Sequence, residues 1–138
     1  QVCCLVDTVG SWPHDPLRES AMGKRVEEFN AFRTRMNERI LAEDNRVIKR
    51  VFSVDSLTYQ EGALPKKTKE LLGLSTSMVL RCDDCVSYHI GQCLESGCSK
   101  DEIVEAMSVA LVVGGTIVIP HMRRAIDFLD EMLAEPAG

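Results

Sequence analysis

The sequence predicts an all-α fold of five to seven helices around one core. Apolar residues recur at intervals of three and four along most of the chain, the period of a buried helical stripe. Ser99-Lys100-Asp101-Glu102 reads as a capping box, in which Ser99 accepts from the third helical N–H and Glu102 reaches back to the cap residue's own N–H. Alternating apolar and polar runs bounded by turn dipeptides, the mark of half-buried strands, are absent. A chain of 138 residues, 45% hydrophobic, is long enough to bury a full core without metal or disulfide staples.

The elements follow in order. Residues 1–20 hold Trp12-Pro13 and Asp15-Pro16, which push the preceding residues away from helical geometry, so this stretch is expected to be an irregular lead-in. Residues 21–138 are expected to form a single helical domain. From Met22 onward, Val26, Phe29, Phe32, Met36 and Ile40 make one stripe, with Glu27, Arg33 and Arg39 on the wet face. A second helix is expected from Arg46 to about Tyr59, burying Val47, Ile48, Val51 and Phe52, with Gly62 beyond its end. Pro65 then restarts the chain at a first-turn position, where its missing N–H costs nothing, and this helix should run to about Leu80.

A fourth helix is expected from about Cys82 to Gly97, a residue suited to a left-handed C-terminal cap. The helix opened by the capping box carries Ile103, Met107, Ala110 and Leu111 and breaks near Gly114-Gly115. These adjacent glycines suit close approach, at a site or between subunits. A last helix should include Met122 to Leu133, with Ala125, Ile126, Leu129 and Leu133 on one side.

Charge and hydropathy narrow the functional classes. The net charge is −5, and the basic pairs Lys66-Lys67 and Arg123-Arg124 are short, so no basic stripe marks a nucleic-acid surface. No run of eighteen apolar residues is present, so no membrane span is expected. Six cysteines are about 4% of the chain, below the density of a disulfide scaffold. Without a regular framework of pairs they favour a reducing cytoplasm.

The chemistry concentrates in Arg81-Cys82-Asp83-Asp84-Cys85-Val86-Ser87-Tyr88-His89. On a helix, positions 82, 85 and 89 share one face. A helix N-terminus and a neighbouring histidine both favour the thiolate, the reactive form of cysteine. A second thiol one turn away can close a disulfide before over-oxidation. Three other readings compete: small buried residues, a zinc site, and a structural disulfide. Two cysteines and one histidine fall one ligand short of structural zinc, and a disulfide closing so short a loop adds little entropy advantage.

The segment Gly62 to Leu72, then Cys82-x-x-Cys85-x-x-x-His89, Gly97, Glu102 and Gly114-Gly115, resembles the carboxymuconolactone decarboxylase-like superfamily, and within it the AhpD-like alkylhydroperoxidase branch. The resemblance covers about residues 45–130. It implies an all-helical subunit in a homotrimer or homohexamer, with thiol-dependent reduction of organic hydroperoxides or disulfide exchange, and neither metal nor cofactor. By the same resemblance Glu70 matches the acidic residue twelve before the first cysteine, Cys82 and Cys85 the redox pair, and His89 the proton-relay histidine. A lipoyl protein or a thioredoxin-like partner is the implied reductant. Decarboxylases of this fold lack the cysteine pair. Asp84 departs from members with a histidine directly before the second cysteine, and an acid there opposes thiolate formation.

Glu70 has a plainer explanation too, since Lys66 and Lys67 lie at i−4 and i−3 and could pair with it on the helix surface. Cys85, four residues before His89, is taken as the attacking thiolate and Cys82 as its disulfide partner; the inverse assignment stays open because the first cysteine of many such helices is the nucleophile. Two other functions remain open: a lyase acting on a lactone acid, and a metal-binding or oligomeric module without turnover. Among the other residues, Cys93 reads as a small buried hydrophobe, Cys98 as exposed after the Gly97 cap, and His121 as structural. Cys3 and Cys4 are adjacent and poorly placed to bridge each other. His14 and Tyr88 carry no assignment.

Overall fold

A computed structural model describes residues 23–134, so the expected lead-in of residues 1–20, with Cys3, Cys4 and His14, lies outside the described residues. Six α-helices and one short 3₁₀ turn follow one another, with no strand among the described residues: α1 (Lys24–Leu41), α2 (Arg46–Thr58), α3 (Lys66–Val79), α4 (Asp83–Glu95), α5 (Lys100–Gly114), the turn Thr116–Val118 and α6 (Ile119–Leu133). No described helix is long and apolar enough to cross a membrane.

The core is built by α3, α4, α5 and α6. Leu74 and Met78 of α3, Val86 and Ile90 of α4, Ile103 and Met107 of α5, and Phe128 and Leu129 of α6 are sealed from solvent. Val26 at the start of α1 joins them, and Phe29 meets Phe128 edge to face at 5.5 Å. Such aromatic contact adds about 0.5–1.5 kcal/mol beyond the area it buries.

The remaining stripe of α1 and the face of α2 differ from expectation. Phe32 is 54% exposed, Val47 70% and Val51 61%, and α2 contributes no buried residue at all. The apolar period specifies the helix but not its cover, and among the described residues nothing packs over those positions. Leu133, expected on the core side of α6, is exposed as well.

Local signals fix the helix ends. Asn45 caps α2 by accepting from the N–H groups of Val47 and Ile48. That helix ends at Thr58, short of Tyr59. Pro65 stands at the cap itself, one position before the expected first turn, with extended backbone. The capping box of α5 forms as read, with both reciprocal bonds made. Hydrogen bonds from Lys67 and from the Ser99 N–H hold the Glu102 carboxyl below its ordinary range.

Two further ends use the Schellman arrangement. At the end of α4 the Gly97 N–H donates to the Leu94 carbonyl and the Cys98 N–H to that of Cys93, while Gly97 has φ +81°. The hydrophobic contact such ends favour falls to Cys93 and Cys98, which explains why Cys98 is buried instead of exposed. Gly114 and Gly115 have separate reasons: a Cβ on the first would meet the Val118 side chain at 2.5 Å, and the second has φ +77°.

Candidate active site

Cys82 is held by two helices at once. As α3 ends, Arg81 adopts a left-handed conformation at φ 61°, the Arg81 N–H donates to the Met78 carbonyl and the Cys82 N–H to that of Ser77. This is the same Schellman end with arginine where glycine is usual, a placement costing about 1 kcal/mol. Cys82 is then the N-cap of α4, its sulfur accepting from the Cys85 N–H at 3.4 Å. Cys82 and Cys85 form a disulfide, with Cα atoms 5.3 Å apart. Cys85 is exposed and Cys82 half-buried; Asp84 is exposed.

Glu70 and His89 are both buried, and they meet each other. Glu70 is 1% exposed in the middle of α3, and its Oε2 accepts from His89 Nδ1 at 2.9 Å. The alternative pairing of Glu70 with its neighbouring lysines is overturned. Lys67 bonds Glu102 at 2.7 Å and Lys66 bonds Gln92, leaving the carboxylate to the histidine. A buried carboxylate without such a partner would cost several kcal/mol. Its other oxygen, Oε1, has no hydrogen-bond partner within the described residues.

Three residues that the sequence reading passed over complete the surroundings of His89. Tyr59, at the C-terminus of α2, donates its hydroxyl toward His89 Nε2 at 3.4 Å. Burial and the Glu70 charge push the Tyr59 phenol above its ordinary value, so it stays protonated, and because the Glu70 carboxylate can only accept from Nδ1, Nε2 is left to accept from the phenol. His89 then carries its proton on Nδ1, facing the carboxylate. Lys69 of α3 holds the end of α2 in place by donating to the carbonyls of Thr58 and Gln60 at 2.8 and 2.7 Å.

Tyr88, left without a role, packs its ring 5.2 Å from that of His89 and carries the Arg33 guanidinium 4.1 Å above it. Gly73 is the third. A Cβ there would lie 2.5 Å from the imidazole, so only glycine leaves room for the ring beside α3. The signal was available, since a glycine inside a helix costs about 1 kcal/mol against alanine and asks for a packing reason.

Asp83, next to Cys82 in the chain, is bound by His121 and Arg124 of α6. Cys93 and Cys98 lie apart from this constellation. Burial pushes both thiols up, that of Cys93 furthest, so neither forms a thiolate readily. No group of three or more potential metal ligands is present among the described residues.

Comparison with known proteins agrees with this architecture. Residues 46–128 match the carboxymuconolactone decarboxylase family. A crystal structure of a family member from Thermotoga maritima, whose description suggests involvement in antioxidative response, is 50% identical, with a TM-score of 0.74 over 77% of this chain and 90% of that one. A family member from Legionella pneumophila, at 20% identity, shares the fold with a TM-score of 0.73 over 80% and 98%. An uncharacterized protein of Cupriavidus necator is 28% identical over 75 residues, 54% of this chain and 66% of that relative's length. An uncharacterized protein of the cox locus of Paracoccus denitrificans is 28% identical over 80 residues, 58% of this chain and 72% of its own length. With a helical core of the right order and a match spanning more than half its length, the chain belongs to the carboxymuconolactone decarboxylase family.

Proposed function

We propose that this protein is a thiol-dependent oxidoreductase of the AhpD-like kind, reducing organic hydroperoxides or exchanging disulfides in antioxidant defence. The observation that carries the reading is a disulfide whose Cys85 is an exposed residue at a helix start, one turn from a histidine held between Glu70 and Tyr59.

In the reduced protein the Cys85 thiolate attacks the peroxide, the O–O bond breaks, the alcohol leaves with a proton, and Cys85 becomes a sulfenic acid. Cys82 then attacks that sulfur and expels water, giving the disulfide. Hydroperoxide and two thiols thus become alcohol, water and disulfide. His89 takes the proton from a thiol and returns it to the leaving oxygen, with Glu70 holding the ring in one orientation. A dithiol partner, of lipoyl or thioredoxin-like chemistry, restores the pair by attacking the sulfur of Cys85, an exposed residue. Cys82 leaves as a thiolate stabilised by the Cys85 N–H at the helix cap. The cytoplasm, where such reductants operate, is the proposed compartment.

The exposed apolar residues Phe32, Val47, Val51, Val54 and Leu57 support a homotrimer or homohexamer in which copies cover this face. The experiment mixes the reduced protein rapidly with an organic hydroperoxide, follows free thiols and maps the product. Loss of two thiols into a Cys82–Cys85 disulfide, faster than oxidation of free cysteine, is expected. Full turnover by Cys82→Ser or Cys85→Ser variants would exclude this chemistry.

A further inference from the structure

Asp83, the residue immediately after Cys82, has both carboxylate oxygens occupied from α6: Oδ1 accepts from His121 Nδ1 at 2.7 Å and Oδ2 from Arg124 Nε at 2.8 Å. We propose that this cluster is a charge clamp that sets the reduction potential of the Cys82–Cys85 pair, with His121 and Arg124 as positioning residues. The inference rests on reading that pair as a redox centre.

Two acidic side chains, Asp83 and Asp84, follow Cys82 in the first turn of α4, and a carboxylate beside a sulfur opposes its ionisation. The disulfide carries no charge, so this repulsion acts only on the reduced form. Asp84 is exposed, where water and salt screen it. Asp83 is only partly exposed and is covered instead by protein donors, the Arg124 guanidinium supplying a permanent positive charge. Neutralising Asp83 keeps the Cys82 thiolate accessible despite the two acids. The clamp also pins the first turn of α4 to α6, so the Cys85 N–H that faces the Cys82 sulfur is held in place.

The reaction concerned is balanced in itself: the disulfide takes two electrons and two protons from a dithiol, which becomes a disulfide. Equilibrating the purified protein with dithiothreitol buffers of graded oxidation at neutral pH, then alkylating and mapping Cys82 and Cys85, gives the equilibrium constant. Arg124→Gln leaves the Asp83 charge less compensated, and its equilibrium constant for reduction should fall about tenfold, a potential about 30 mV more negative. His121→Ala should move it in the same direction. Asp83→Asn should do the opposite, because it removes the acidic charge next to Cys82 and leaves Arg124 uncompensated. Arg124→Lys, which keeps the charge, should stay within a factor of two or three of the unaltered protein.

A purely structural clip would respond differently, since cutting it from either side loosens the same turn and shifts the potential with one sign. Shifts of the same sign from Asp83→Asn and Arg124→Gln, or none beyond twofold in either, would overturn the proposal. The equilibrium needs no hydroperoxide, so the two readings fail separately. Opposite shifts in a protein that turns over no peroxide would retain the clamp and remove the peroxidase, whereas turnover without those shifts would do the reverse.

Discussion

The α3–α4 pair and the α1–α2 hairpin use the same apolar periodicity to different ends. In the first, Leu74, Met78, Val86 and Ile90 are sealed, and the two helices bring Glu70 to His89. In the second, Val47, Val51 and Phe32 stay in the open, and the end of α2 reaches the site through Tyr59, secured by Lys69. Periodicity therefore identifies a helix and its apolar face, while burial depends on what lies opposite. The site is correspondingly divided: a rigid half from α3 and α4, and a half delivered by a helix with little packing of its own.

Truncating a side chain on each face separates the two regions. Leu74→Ala should cost about 2–5 kcal/mol of stability, the usual range for a buried leucine. Val51→Ala should cost less than about 0.5 kcal/mol at concentrations where light scattering finds single subunits, and more once copies associate. Denaturant unfolding across a concentration series checks both. A Val51 penalty equal to that of Leu74 at every concentration would mean that the α2 face is not open in the subunit.

Within the rigid half, Gly73→Ala drives a methyl group into the imidazole. Misplacement of a catalytic group by an ångström costs about a hundredfold, so turnover with hydroperoxide should fall by about tenfold to a hundredfold while helicity is retained. Stopped-flow thiol loss beside far-UV circular dichroism is the measurement. In the delivered half, Tyr59→Phe removes one long neutral hydrogen bond worth about 1 kcal/mol at most, and turnover should fall about threefold to fivefold. A loss as large as that of Gly73→Ala would place Tyr59 in the proton path itself.

The smallest effect concerns α5, which takes part in neither half. Glu102 is held below its ordinary value of 4.5, by Lys67 and the Ser99 N–H in that order, so the folded state binds its proton more weakly than the unfolded chain. The associated stability is present above that ordinary value and is lost as pH falls through the lower folded value. Glu102→Gln should flatten this acid limb without changing turnover at neutral pH. Thermal unfolding between pH 2 and pH 6 reads it.

The order of helices, the α5 capping box, the Gly97 cap and the meeting of Cys82 with Cys85 were all legible in the sequence, because each depends on residues within a turn or two of one another. Glu70 was found there only through a resemblance, for its local neighbours are lysines and local rules pair it with them. What brings it to His89 is the packing of α3 on α4 and the gap left by Gly73.

Helix starts and stops, and the two thiols able to meet, are set locally, since capping, helical period and short loops act over a few residues. Tertiary packing alone leaves Val47 and Val51 bare, brings Tyr59 to His89 and holds Asp83 from α6. Those outcomes join residues 30 or more positions apart in most cases, where burial and charge compensation depend on the arrangement of whole helices and leave no mark in local spacing.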